Sequence, residues 1–212
     1  DPVPLKEMGR FNHEAIAVDP NSGIVFQTED RDDGLIYRYI PKRRGNLEAG
    51  GKLQALKVVD HSSTDTRNWC AKPTVRVGEQ LPVEWIDMED VLSPKDDLRI
   101  RGFNSGAARF ARGEGMWYGR GSIFFACTNG GSKKFGQIWR YFPSPDEGTL
   151  AEEKSPGRLE LFVEPNNSKL VQAADNLTVS PWGDLIVCED RTGKVIRMVG
   201  VTPKGKFYTF AK

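Results

Sequence analysis

An internal repeat constrains this chain more than any other feature. Residues 34–41 read GLIYRYIP, residues 136–143 read GQIWRYFP and residues 193–200 read GKVIRMVG; each opens on glycine and carries an arginine, Arg38, Arg140 or Arg197. Ahead of them lie the β-rich runs IVFQTED (24–30), IFFACTN (123–129) and LIVCED (185–190), and ahead of those HEAIAVDPNSG (13–23), EGMWYGRG (114–121) and DNLTVSPWG (175–183). A fourth element follows each time: KLQALKVV (52–59), RLELFVEP (158–165) and KFYTFAK (206–212). Alternating segments separated by Gly, Pro, Asn and Asp read as strands joined by tight turns. Four strands per unit, at a spacing of roughly 40–50 residues, is the pattern of β-propeller blades. Residues 60–113 take the place of one more unit in which the repeat is degenerate; VEWIDMEDV (83–91) and PKDDLRIRG (94–102) fit either strands or a long insertion across one face. The expectation is an all-β chain, a single domain over residues 1–212, forming a partial β-propeller with three clear four-stranded blades and one degenerate.

Composition narrows the function classes. Thirty Lys and Arg against 29 Asp and Glu leave a net charge of +1, which removes the electrostatic case for a nucleic-acid or polybasic membrane partner. The longest obvious apolar run, Ile123 to Cys127, falls far short of the ~20 residues of a membrane-spanning helix. Three cysteines, Cys70, Cys127 and Cys188, have neither zinc spacing nor the numbers for a disulfide framework. Cys127 and Cys188 read as buried, inert core thiols and Cys70 as a loop thiol.

In a blade, the first strand lies nearest the central axis and the second runs antiparallel beside it, so the start of the first and the end of the second meet at one face. Those positions hold Glu14 with Glu29 and Asp30, then Glu114 with Asn129, then Asp175 and Asn176 with Glu189 and Asp190. Oxygen ligands from three blades would gather at one mouth of the channel. Such a group repels itself unless protonated or compensated by a hard cation such as calcium, magnesium or ferric iron. Glu29–Asp30 and Glu189–Asp190 are also at home as solvent-facing strand ends. Glu14 and Glu114 precede apolar runs suited to burial, where an unpaired carboxylate is costly. Arg112, two residues before Glu114, points the same way on an extended strand, either as its ion pair or as a bidentate clamp for an oxyanion.

At these residues the sequence resembles the PhoX family of bacterial alkaline phosphatases. The resemblance rests on PLKEMGRFNHEAIAVDP (4–20), TEDRDDGLIYRYIP (28–41), GAARFARGEGMWYG (106–119), CTNGG (127–131) and DNLTVSPWGDLIVCED (175–190). It implies a six-bladed parent propeller whose central site holds ferric iron and calcium. It also implies release of inorganic phosphate from phosphomonoesters, and export to the periplasm or cell exterior. Carried onto this chain, it makes Glu14 and Glu114 metal-bridging carboxylates, Arg112 the phosphate-binding arginine and Asn176, then Asp175, further ligands. Glu29, Asp30 and Glu189 are additions from geometry. The family's iron-ligating cysteine lies many tens of residues before the HEA motif, and here thirteen residues precede Glu14. The chain therefore reads as the C-terminal part of a longer protein, a monomer with little activity on its own.

The expected chemistry is metal-assisted hydrolysis of a small-molecule phosphomonoester, with Arg112 and Glu114 at its centre. A calcium-dependent propeller lactonase or esterase is the rival enzyme, and a non-catalytic, metal-stabilised propeller binding module the rival outside catalysis. Other motifs fail: GVTPKGKF (200–207) has Phe207 where a P-loop needs Ser or Thr, and Ile24 stands where a calcium loop between Asp19 and Asp30 needs glycine. His13 should point away from Glu14 and serve structure.

Overall fold

The computed structural model describes residues 2–193 and 195–212; Asp1, and Lys194 within the GKVIRMVG repeat, lie outside the described residues. The first four-stranded unit is an antiparallel meander of β1 (His13–Val18), β2 (Val25–Glu29), β3 (Ile36–Arg43) and β4 (Asn46–Val58). Residues 60–113 then supply one strand, β5 (Gln80–Asp87), and one helix, α1 (Leu98–Asn104). The second unit is β6 (Gly113–Gly119), β7 (Ser122–Cys127), β8 (Gln137–Phe142) and β9 (Arg158–Val163). The third is β10 (Ala174–Val179), β11 (Leu185–Glu189), β12 (Met198–Val201) and β13 (Phe207–Ala211). The repeat strings GLIYRYIP, GQIWRYFP and GKVIRMVG thus lead into or span the third strand of each unit.

The degenerate stretch takes the insertion reading rather than that of a blade. Asp60, Ser63, Asn68, Asp90, Ser93 and Asp96 all have positive φ. Short polar residues tolerate that left-handed backbone, and it breaks a strand wherever it occurs. β5 pairs on one side with β4 and on the other with β9. It thereby joins the outer edges of the first two units into one nine-stranded sheet, ordered β1-β2-β3-β4-β5-β9-β8-β7-β6. The two ends of that sheet, β1 and β6, pack together, and β6 also packs on β10. The innermost strands of all three units therefore run side by side, as propeller blades require.

Strands covered on both faces read as continuous apolar runs. In β7, Ile123, Phe125 and Cys127 join one cluster with Phe26 of the first unit, Phe110 of the insertion and Trp139 and Tyr141 of β8. Phe124 and Ala126 face the third unit with Ile138, Leu177, Val187 and Val199. Phe110 makes edge-on contacts with Phe125 and Trp139, each at 5.5 Å between centroids. A third cluster of Val25, Leu35, Tyr37, Tyr39 and Leu53 is covered by Met8 and by Leu98 of α1. The outward face of the third unit stays exposed at Trp182, Met198, Tyr208 and Phe210, and that of β1 at Ile16 and Val18.

Candidate metal centre

The three inner strands carry the same irregularity at the same place. β1 pairs His13 with Glu29 and resumes at Ile16 with Gln27; β6 pairs Gly113 with Cys127 and resumes at Met116 with Phe125; β10 pairs Ala174 with Glu189 and resumes at Leu177 with Val187. In each case two residues stand where a regular ladder has one, the geometry of a β-bulge, which re-aims a side chain. The first bulged residue is Glu14, Glu114 or Asp175; the second is Ala15, Gly115 or Asn176. Equivalent positions in adjacent units approach one axis, so the repeat itself delivers three acids to one point. Each offers a carboxylate oxygen, and the three oxygens lie within 4.8 Å of one another.

Close strand approach makes this possible. A Cβ at Gly115 would sit 2.5 Å from the Cα of Asn176, so only glycine lets β6 and β10 converge here. Thr28 fixes the other side: its hydroxyl donates to the Glu114 carbonyl at 2.7 Å and accepts from the Ala15 N–H at 3.0 Å. Glu114 itself is only 4% exposed.

One cation serves this group. Arg112 Nε donates to Asp30 Oδ1 at 2.7 Å, and its Nη2 donates to Asp30 Oδ2 at 3.1 Å and to Glu114 Oε1 at 2.8 Å. Four carboxylates against one guanidinium leave the site short of positive charge. Burial, with Asp30 and Asp175 close by, lifts Glu114 to about 8. Burial and the same neighbours raise Glu14, and burial with Asp190 raises Asp175. A compact set of hard oxygen donors, partly buried and under-neutralised, fits a hard cation on donor chemistry and charge.

The whole chain, residues 1–212, matches the family model described as alkaline phosphatase PhoX. The chain belongs to the PhoX family. Among solved structures it is similar to Pseudomonas fluorescens PhoX in complex with vanadate, a transition state analogue, with a TM-score of 0.68 at 18% identity. That alignment covers 99% of this chain and 46% of the other, so this chain spans less than half the length of its structural relative. A search of curated proteins found no match. The fold similarity agrees with the propeller reading of the repeats.

Within this PhoX-family chain, the expected site residues divide into two sets. Glu14, Glu114 and Asp175 converge, with Arg112 and Asp30 beside them. Asn176 occupies the second bulge position and is exposed. Glu29 and Glu189 do not join: Glu29 binds through Oε2 to the loop and strand that follow it, its Oε1 being buried without a partner, and Glu189 is held by groups before β10 and before β12. Glu29 Oε2 accepts from the Leu35 N–H at 3.1 Å and the Tyr37 hydroxyl at 3.0 Å, and burial pushes this carboxyl to about 7. Glu189 accepts from the Gln172 N–H and forms a fork with Arg197 Nε and Nη2 at 2.9 and 2.6 Å. Burial alone would raise its pKa; the Arg197 guanidinium holds it below the usual value.

Three details depart from what spacing suggests. Arg112 has φ of +54° rather than an extended backbone, yet Nη2 still reaches Glu114. Asp175, rather than Asn176, is the residue equivalent to Glu14 and Glu114; only the shared bulge reveals this. Cys188 is exposed, because it lies on the open face of β11, whereas Cys127 is buried with its thiol pushed up by burial. His13 serves structure, with Nε2 3.0 Å from Gly9 O and its ring stacked on Phe11 at 3.7 Å.

Proposed function

We propose that this protein hydrolyses phosphate monoesters, with a metal centre held by Glu14, Glu114 and Asp175 and the phosphoryl group received by Arg112. The observation that carries the reading is the convergence of three bulge-borne acids, short of positive charge, with a single arginine at their rim. Calcium and ferric iron suit the all-oxygen donor set, and Asn176 adds an amide oxygen beside it. When bound, the metal supplies Lewis-acid polarisation of the phosphoryl group.

The chain's own residues do the rest. Glu114, oriented through its backbone by Thr28, would hold the cation as a carboxylate. Arg112 keeps Nη1 clear of Asp30 and Glu114, so this edge of the guanidinium is available to phosphate oxygens. Charge developing on the transferred group is then met by a fixed donor that needs little reorganisation. The Arg112–Glu114 pair favours phosphate over a lactone, whose ring oxygen offers no oxyanion to a guanidinium in the ground state. Family membership supports export to the periplasm or beyond, and no helix among the described residues is long and apolar enough to cross a membrane.

The test is an assay of the full-length protein with a generic phosphomonoester beside a panel of sugar lactones. Phosphate release that is inhibited by vanadate and lost in Glu114→Gln is expected. Lactone turnover without phosphate release, or full activity in Glu114→Gln, would overturn the proposal.

A further inference from the structure

Arg112 sits at a junction between units. Its backbone N–H donates to Arg31 O at 2.9 Å, in the loop after β2, and its carbonyl accepts from the Thr128 N–H at 3.0 Å. One unit further on, Ala173 repeats the arrangement: its N–H donates to Phe135 O at 3.0 Å and its carbonyl accepts from the Asp190 N–H at 2.9 Å. Both residues have φ of +54°. The left-handed backbone therefore belongs to the repeat, since Ala173 adopts it with no functional side chain. What position 112 adds is the guanidinium.

The same repeat makes Asp30, Thr128 and Asp190 equivalent, one step past the end of the second strand. Their fates differ. Thr128 Oγ1 donates to Ala174 O at 2.5 Å, and Asp190 is exposed. Asp30 alone of the three meets an arginine, and it meets it through both oxygens. Its own backbone is held on two sides, its N–H donating to Asn12 O at 2.9 Å and its carbonyl accepting from Asn12 Nδ2 at 2.8 Å. An arginine side chain pays rotamer entropy each time it is fixed, and a bidentate partner removes that cost before a ligand arrives.

We infer that Asp30 is a positioning residue for Arg112, gripping Nε and Nη2 across the junction of the first two units so that Nη1 faces the oxyanion, rather than a metal ligand. The inference rests on the phosphatase reading above. It also opposes a simple electrostatic expectation, because removing a carboxylate beside an anion site would by itself tighten anion binding.

Metal-loaded full-length protein carrying Asp30→Ala, Asp30→Glu, Arg112→Ala or the Asp30→Ala/Arg112→Ala pair tests it. The readouts are kcat, KM, the inhibition constant for inorganic phosphate, and bound metal by elemental analysis. Asp30→Ala should weaken phosphate binding and raise KM by about tenfold to a hundredfold, with metal content unchanged. Asp30→Glu should recover part of the loss, and the double variant should be no worse than Arg112→Ala. Phosphate binding that is unchanged or tighter in Asp30→Ala, metal lost as in Glu114→Gln, or full additivity in the double variant would each overturn the inference. A wild-type protein that binds no phosphate and cleaves no phosphomonoester fails at the earlier step and overturns the function itself.

Discussion

Arg38 and Arg112 each face two carboxylates, and they do opposite things. At the periphery, buried Arg38 donates from Nη1 to Glu147 and Glu152 at 2.6 Å each, from Nη2 to Glu152 at 2.8 Å and from Nε to Gln54 at 2.8 Å. The acids are completed by the Tyr141 hydroxyl and the backbone N–H groups of Ser144 and Gly148. At the axis, Arg112 has Asp30 and Glu114, but Glu14 and Asp175 stand beside them without a cation of their own. The matched cluster ties the loop before β9 to the first unit. The unmatched one keeps more carboxylate than cation, and the metal proposal rests on that excess at equivalent bulges.

The sharpest way to separate the two clusters is to remove the peripheral arginine. Arg38→Ala should strand Glu147 and Glu152 and cost about 3–5 kcal/mol of stability, with metal binding intact; denaturant melts and metal analysis check both halves. Next in size, Glu14→Gln, Glu114→Gln and Asp175→Asn should each lower phosphatase activity by about a hundredfold or more while leaving stability in metal-free buffer unchanged or improved. An equal loss of stability in both clusters would erase the distinction between them.

A pH titration of the metal-free protein sharpens it further. Glu114 and Glu29 have folded-state pKa values of about 8 and about 7, above the usual 4.5. Between those limits the folded state binds more protons than the unfolded one, so stability should fall as pH rises from about 4.5 to about 8, by several kcal/mol at about 1.4 kcal/mol per pKa unit. Saturating metal should abolish the Glu114 part and leave the Glu29 part. The smallest effect is expected at Thr28→Val, which removes the hydroxyl between Glu114 O and Ala15 N and should cost about 1 kcal/mol in thermal or chemical melts.

Much of this was legible in the sequence. The repeat strings announced the strands of three units, because strands covered on both faces must be apolar runs and their turns must hold Gly, Asn and Asp. Glu14, Glu114 and Arg112 stood out because acids at the head of apolar strands are expensive. What spacing could not supply was the bulge. A ladder with one extra residue looks in sequence like any alternating strand, so spacing does not tell Asp175 from Asn176, the family resemblance puts Asn176 first, and Arg112 reads as extended. Nor does it show how Glu29 and Glu189 are held, since that depends on Leu35 and Tyr37 at the start of β3, and on Arg197 before β12 and Gln172 before β10. VEWIDMEDV (83–91) fits a strand or an insertion in sequence, but that β5 bridges β4 to β9 does not show there, because β9 lies far along the chain.

We propose that bulge-borne carboxylates hold metal and strand-end carboxylates hold the fold. Elemental analysis of purified full-length protein tests it most directly, comparing Glu14→Gln, Glu114→Gln and Asp175→Asn with Glu29→Gln and Glu189→Gln. The first three should lose bound metal and the last two should retain the wild-type content. Metal kept in the bulge variants, or lost only in Glu29→Gln and Glu189→Gln, would contradict the account.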